Sequence, residues 1–551
     1  MTVYNEKTKR RVVPRWRSSI VAASSKDFQP LKTKPGKQRP EHILPTQVED
    51  FEAAPDLGRA AELFATASRL GETARAKQAA AFIRSQGALA PSLLMDAALS
   101  VLNGIKPRLL SERITQDAAA VAHLRALLKR RPKTANLWVD LARHQAALGD
   151  TEKAAKSMQI ALALAPNHRW VLRSASRLLL HAGEVEAAHR LIARHPRTRF
   201  DPWLISAEIA SAQVAGKQPK FMRQARDMLR PQIWLPSHVS ELATAVATVE
   251  LETGTAKNAR RLLKLALKDP TENALAQVEW AERDSRDGLK VASALSRTPD
   301  AYEASCWVKY NEGQLEEALE AARQWLQDES YATRPVGMVC YLASFLDDYK
   351  SVIETANEAL LRHPDEVLHR NNLIFALLSQ GELLANPDQA ELASHVEFLR
   401  RRINAKDDDA LHATANLGLL CYRLARLEDG RKLYEATMDA AEKMGNHLIR
   451  AHAAVMNSRE ALLSRAAWSN EALATARKLT KRILSPGLSF YMRKLEAVHK
   501  DPQKAAEILS PDTAKQYSTP KQFVDLMKDL RIEHTESGPI LWIPKHLIKR
   551  N

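Results

Sequence analysis

The sequence predicts an all-α fold, a solenoid of stacked helical hairpins. Three observations predict it. From Asp56 to about Leu484, apolar residues, mainly Ala and Leu, recur at helical spacing, with turn residues every dozen or so positions. Strand signals are nearly absent over that span. A 34-residue pattern, clearest at Ala135–His168, returns along the chain.

Taken in order, residues 1–55 carry Pro14, Pro30, Pro35, Pro40, Pro45 and Pro55 and few apolar residues at helical spacing. This stretch reads as a flexible, disordered basic arm. Residues 1–40 hold eleven Lys/Arg against two acids, Glu6 and Asp27. Residues 56–134 read as degenerate helical hairpins and 135–484 as the solenoid proper. The break Ser485-Pro486-Gly487 opens a C-terminal helical cap and basic tail, 485–551, with helices expected near 488–510 and 520–531. The terminal GPILWIPKHLIKRN is apolar and β-branched, and reads as an extended segment docked on the last helices.

Number Ala135–His168 from 1 to 34. Trp138 is then at position 4, Leu141 at 7, Ala142 at 8, Gly149 at 15, Ala154 at 20, Ala161 at 27 and Pro166 at 32. Positions 8 and 20 face each other across the hairpin and must be small. Position 15 turns the chain, and proline at 32 ends the second helix. The same ruler fits from Arg169, Ser240, Pro299, Thr333 and Leu411. It places Gly183, Gly254 and Gly313 at the turn, with Asp347 and Ala425 replacing glycine there. Cys306 and Cys340, 34 residues apart, both fall at position 8 and read as buried packing thiols.

These residues resemble the tetratricopeptide repeat (TPR) superfamily over roughly three quarters of the chain. The resemblance implies a right-handed superhelix whose first helices line a concave groove. It also implies an interaction surface rather than a pocket for chemistry. Chaperone-binding members carry a Lys/Asn carboxylate clamp at positions 5, 9 and 6. Val139, Arg143 and Ser174 stand there instead, so that role is not supported.

Composition narrows the function. The 551 residues are 45% hydrophobic and 26% charged, as expected of a folded soluble chain, with only 18 Gly and three Cys. A disulfide framework is not expected, and a reducing, cytoplasmic setting fits best. No apolar run approaches the roughly 18 residues of a membrane span. The N-terminus lacks the apolar core of a secretory signal, and Glu6 and Pro14 count against a transit helix. The net charge of +16 sits mainly at the two ends, because residues 57–476 hold 55 basic against 50 acidic residues. No P-loop, HExxH, G-x-S-x-G or Cys-x-x-Cys is present, so no enzyme activity, cofactor or metal is expected. Asp407, Asp408, Asp409 and His412 read as a helix N-terminus favoured by the dipole rather than as a metal site.

Three candidate sites remain. Position 9, on the groove face, is Trp307, Tyr341 and Phe375 in consecutive repeats, with Tyr310 at position 12 and Phe345 at position 13. Such a ladder suits an extended peptide or an inserted helix. It equally suits packing between repeats or against a returning tail. Further up, Arg143 and Arg177 at position 9, Arg173 at position 5 and Trp170 at position 2 form either a basic groove for carboxylates or phosphates, or a solvated helix face. In the arm, Lys9, Arg10, Arg11, Arg15 and Arg17 bracket Trp16. These residues suit phosphate contacts plus a stacking ring, docking into a partner, or folding back into the chain's own groove, where Trp16 would meet the aromatic ladder. The expectation is a non-enzymatic adaptor that binds a protein partner in its concave groove. The alternative is a nucleic-acid-associated protein that grips RNA or DNA phosphates through its basic termini.

Overall fold

The computed structural model describes residues 15–17, 40–103, 112–230, 234–285, 291–298, 300–380, 389–403, 405, 407–509, 531–535 and 538–542. The helices run α1 (Pro40–Ala53), α2 (Leu57–Leu70), α3 (Thr73–Ser85), α4 (Ser92–Leu102), α5 (Glu112–Arg130), α6 (Ala135–Ala147), α7 (Thr151–Leu164), α8 (Arg169–His181) and α9 (Val185–Arg194). There follow α10 (Pro202–Val214), α11 (Met222–Leu229), α12 (Pro236–Glu252), α13 (Ala256–Ala266), α14 (Glu272–Ser285), α15 (Ala292–Leu295), α16 (Tyr302–Asn311), α17 (Leu315–Asp328) and α18 (Thr333–Phe345). The chain continues through α19 (Tyr349–Arg362), α20 (Val367–Gln380), α21 (Gln389–Arg402), α22 (Asp408–Arg423), α23 (Leu427–Lys443), α24 (His447–Leu463), α25 (Ser469–Thr480), α26 (Pro486–Lys500) and α27 (Ala505–Ile508). The fold is all-α and TPR-like, apart from one antiparallel hairpin near the C-terminus, β1 (Arg531–Thr535) with β2 (Gly538–Trp542). Among the described residues no helix is long and apolar enough to cross a membrane.

The hairpin α6–α7 shows why the repeat works. Ala142 and Ala154 are fully buried where the helices cross, and Gly149 takes φ 80° at the turn. Ala165 and Pro166 end α7, and α8 begins at Arg169. In α22–α23 both contact positions are glycine. A Cβ on Gly418 would lie 3.3 Å from the Gly430 carbonyl oxygen, and one on Gly430 would strike the Tyr422 ring. The turn positions that lack glycine still adopt the left-handed conformation, at φ 57° for Asp347 and 58° for Ala425. That conformation is costly for a residue with a Cβ.

Two compact units divide the chain. The N-terminal unit takes in residues 8–304 and 325–332, and the C-terminal unit residues 305–324 and 333–551. In the N-terminal unit, α1 to α6 enclose a core that includes Phe51, Leu63, Phe64, Ile83, Leu94, Ile114 and Leu141. Helix α1 corrects the expectation of a flexible arm reaching residue 55. Leu44, Val48 and Phe51 recur at helical spacing and pack on that core. Pro40 opens the helix, where a proline fits, and Pro45 lies within it. At the other end, residues 538–542 of the expected extended segment are extended, as β2, and pair with β1. Most of the helix expected at 520–531 lies outside the described residues.

The three cysteines are buried and unbridged. Burial pushes the Cys340 and Cys421 thiols up to about 12, so both are inert at neutral pH. Asp407 caps α22 by accepting from the Ala410 N–H at 2.9 Å, and it pairs with Arg402 at 2.7 Å. Asp408 accepts from Asn446 Nδ2 at 3.1 Å. Among the described residues no cluster has the make-up of a metal site.

Candidate peptide-binding face

Residues 15–17, in neither helix nor strand, lie on the N-terminal unit against α6, α8, α14 and the segment 325–332 that ends α17. Trp16 is fully buried. It belongs to one buried cluster with Val139, Ala142 and Ala146 of α6, Trp170, Val171, Ala175 and Leu178 of α8, and Tyr331 and Ala332. The Trp16 and Tyr331 rings are 5.4 Å apart and tilted by 51°. The ruler explains the socket. Val139 at position 5 and Ala146 at position 12 of the first repeat, and Trp170 at position 2 of the next, stand on the groove face.

Main-chain bonds fix the segment. The Arg15 N–H donates to Asn273 Oδ1 at 3.3 Å and the Trp16 N–H to the Tyr331 hydroxyl at 3.3 Å. Arg143 Nε donates to the Trp16 carbonyl at 3.0 Å, and its other arm donates to the Asp328 carbonyl. The Tyr331 hydroxyl donates to Glu329 Oε1 at 3.1 Å, which leaves its oxygen lone pairs to accept from the Trp16 N–H.

The flanking arginines face carboxylates. Arg15 reaches Asp328 Oδ2 at 3.1 Å and the Asp300 carbonyl at 3.2 Å. Arg17 donates to the same carbonyl at 3.2 Å and lies 3.6 Å from Glu272, 3.8 Å from the Asp300 carboxylate and 3.9 Å from Asp328. Burial works to lower the Arg15 pKa, but the surrounding Glu329, Asp328, Glu303 and Glu272 outweigh it and raise it further. For Glu272, burial pushes up while Arg17 and Arg15 pull down, and the arginines win. At Asp328 burial wins, and its carboxyl sits above the usual range despite both arginines.

The arginines of the candidate basic groove are therefore not open to an anion. Arg173 is held by Glu241 at 2.5 Å, and Arg177 lies 3.6 Å from Glu329 with its guanidinium over the Tyr331 ring. Glu241 also accepts from Asn273 Nδ2 at 3.1 Å, which orients the side chain that receives the Arg15 N–H. Trp170 is part of the Trp16 socket. Lys9, Arg10 and Arg11 lie outside the described residues. Repeat spacing did not single out Asn273, Asp328, Glu329 and Tyr331, because three of them lie at or beyond the end of α17, where the ruler has no contact position.

Trp16 does not meet the aromatic ladder, which belongs to the C-terminal unit. There Trp307, Tyr310, Tyr341, Phe345 and Phe375 are all buried, none more than 9% exposed. Successive rings stand edge to face, with Tyr310–Tyr341 at 5.9 Å and Tyr341–Phe345 at 4.9 Å. Helix α26 covers Tyr310, Tyr341 and Phe345, and Tyr349 and Arg459 lie against Phe375. Ser485, its N-cap, lies 2.9 Å from the Tyr310 hydroxyl. Gly487 sits so close to the Phe345 ring that no Cβ would fit, and Tyr491 packs 6.1 Å from that ring. Asp347 accepts from Tyr349 and Tyr491, each at 2.7 Å, and pairs with Lys494, tying α26 to the α18–α19 turn. The space an extended peptide would take along this ladder is filled by the chain itself.

The sequence matches no family model and no curated protein sequence. Among solved structures it is similar to yeast Tom70, at 11% identity and TM-score 0.28 over 88% of this chain and 100% of that chain. It is also similar to the structure of Naa15/Naa10 bound to HypK-THB, at 12% identity and TM-score 0.20 over 86% of this chain and 80% of that one. The TPR-like assignment rests on the hairpins themselves.

Proposed function

We propose that this protein is a non-enzymatic adaptor that holds an extended segment of a protein partner on the first-helix face of its N-terminal unit. The supporting observation is the seating of residues 15–17: a fully buried indole between α6 and α8, with main-chain groups of the segment bonded to Asn273, Tyr331 and Arg143. Main-chain bonds give affinity to any extended chain, and a deep aromatic socket supplies the anchor. A nucleic-acid role for Arg15 and Arg17 has less support, because both face carboxylates here rather than solvent. The test places a photoreactive amino acid at position 177 in the full-length chain, in native cells. Cross-links from this position to an extended segment of another protein are expected. Cross-links confined to the chain's own residues would overturn the reading.

A further inference from the structure

We propose that this face selects a basic–aromatic–basic motif, and that the partner presents an Arg-Trp-Arg-like segment that exchanges with residues 15–17. The inference rests on the adaptor reading above and adds the chemistry of the ligand. Charge decides the class. On the bare face Arg143 still donates to the Asp328 carbonyl, and Arg173 and Arg177 face Glu241 and Glu329. The carboxylates Asp328, Glu272 and Asp300, with Glu303 close to Arg15, then leave the bare face net negative. An acidic or phosphorylated peptide would be repelled, and a neutral one would cover Asp328 and Glu272 without replacing the arginines that pair with them, at a cost in desolvation. Two guanidinium groups placed one residue to either side of an indole meet both demands.

Exchange is consistent with how the segment is built in. Residues 15–17 belong to no described helix or strand, so no described hairpin has to open for them to leave. Tethering gives the resident segment a high effective concentration, so it acts as a competitor that a partner must displace.

The test uses the full-length chain with a protease site inserted after Ser25, cut only after folding, so that the segment becomes a separate ligand on an already folded unit. A fluorescent peptide of residues 12–20 is followed by anisotropy. It should bind the cut chain saturably and at least ten-fold more tightly than the uncut chain. Replacing its tryptophan by alanine, or both its arginines by glutamate, should weaken binding more than ten-fold. An Asp328→Asn/Glu272→Gln chain should bind several-fold more weakly and with a shallower salt dependence. A full-length chain with Arg15, Trp16 and Arg17 all replaced by alanine, if helical by circular dichroism, should bind the peptide as the cut chain does. If the glutamate-substituted peptide binds equally well, the motif class is wrong while the face remains a peptide site. If the cut fragment never exchanges and no peptide enters, both readings fall.

Discussion

Replacing Trp16 by alanine should free residues 15–17 and leave the hairpins of the N-terminal unit intact. A buried tryptophan removes roughly 150–250 Å² from water, worth about 4–6 kcal/mol at ~25 cal/mol per Å². The three bonds to Arg15 N, Trp16 N and Trp16 O add about 1 kcal/mol each. Ordering three residues of backbone costs roughly 3–6 kcal/mol. The buried ion pairs are close to neutral once desolvation is counted. Docking is then favourable by about 3 kcal/mol, on the order of a hundred-fold in population. The indole contributes more than this net value, so its loss undocks the segment. Because the segment can leave rather than enclose a cavity, the loss of stability is capped near that figure. Amide hydrogen exchange reads this directly. In the wild-type chain the Arg15 and Trp16 amides should be protected on the order of a hundred-fold, and in Trp16→Ala they should exchange at free-peptide rates while α6 and α7 stay protected. Persistent protection at residues 15 and 16, or loss of protection throughout α6–α8, would refute the reasoning.

Other consequences are open to measurement. Gly487→Ala forces a Cβ into the Phe345 ring and should destabilise the C-terminal unit by about 1–3 kcal/mol in urea unfolding; an unchanged midpoint would refute the contact. Ala425→Gly relieves the left-handed turn and should stabilise the same unit by up to about 1 kcal/mol in the same assay. His369 and His452 are buried, their rings lack hydrogen-bond partners among the described residues, and burial pushes both down to about 3. The unfolded chain takes up their protons first, so stability should be full above pH 6.5 and fall as pH drops toward 3, by about 1.4 kcal/mol per unit for each histidine. His452→Leu should remove its own share of that slope and leave the shares of His369 and His363. Arg17 and Arg15 pull the Glu272 pKa down while the Asp328 carboxyl is raised by burial; in an Asp328→Asn chain, which leaves the Glu272 contribution, docking should strengthen as pH rises through 4.5 and weaken as pH falls below it, visible as the pH dependence of Arg15 amide protection.

Much of the fold was legible because helical hairpins are local. The small residues at positions 8 and 20, the turn at 15 and the proline at 32 are dictated by neighbours within one repeat, and α6–α7 begins where that spacing puts it. Helix α1 was hidden because prolines are common in coil, yet Pro40 stands where a helix tolerates one. The site was only half legible. Arg143, Arg173 and Arg177 share a face as their spacing requires, but their charge was read without Glu241, Asp328 and Glu329, which reach them only through the tertiary fold. Burial of the aromatic ladder depends in the same way on α26, more than a hundred residues further along the chain. A retrospective signal exists: Asp328-Glu329-Ser330-Tyr331 is an acidic pair followed by an aromatic residue, and it complements Arg15-Trp16-Arg17 in charge and ring content.

The central claim is that this face holds a replaceable segment. A fluorine label on Trp16 of the uncut full-length chain tests it most directly. The account predicts one dominant resonance from the buried ring, with a free-ring resonance that grows as the unlabelled 12–20 peptide is added. A single buried resonance that no amount of peptide moves would contradict it.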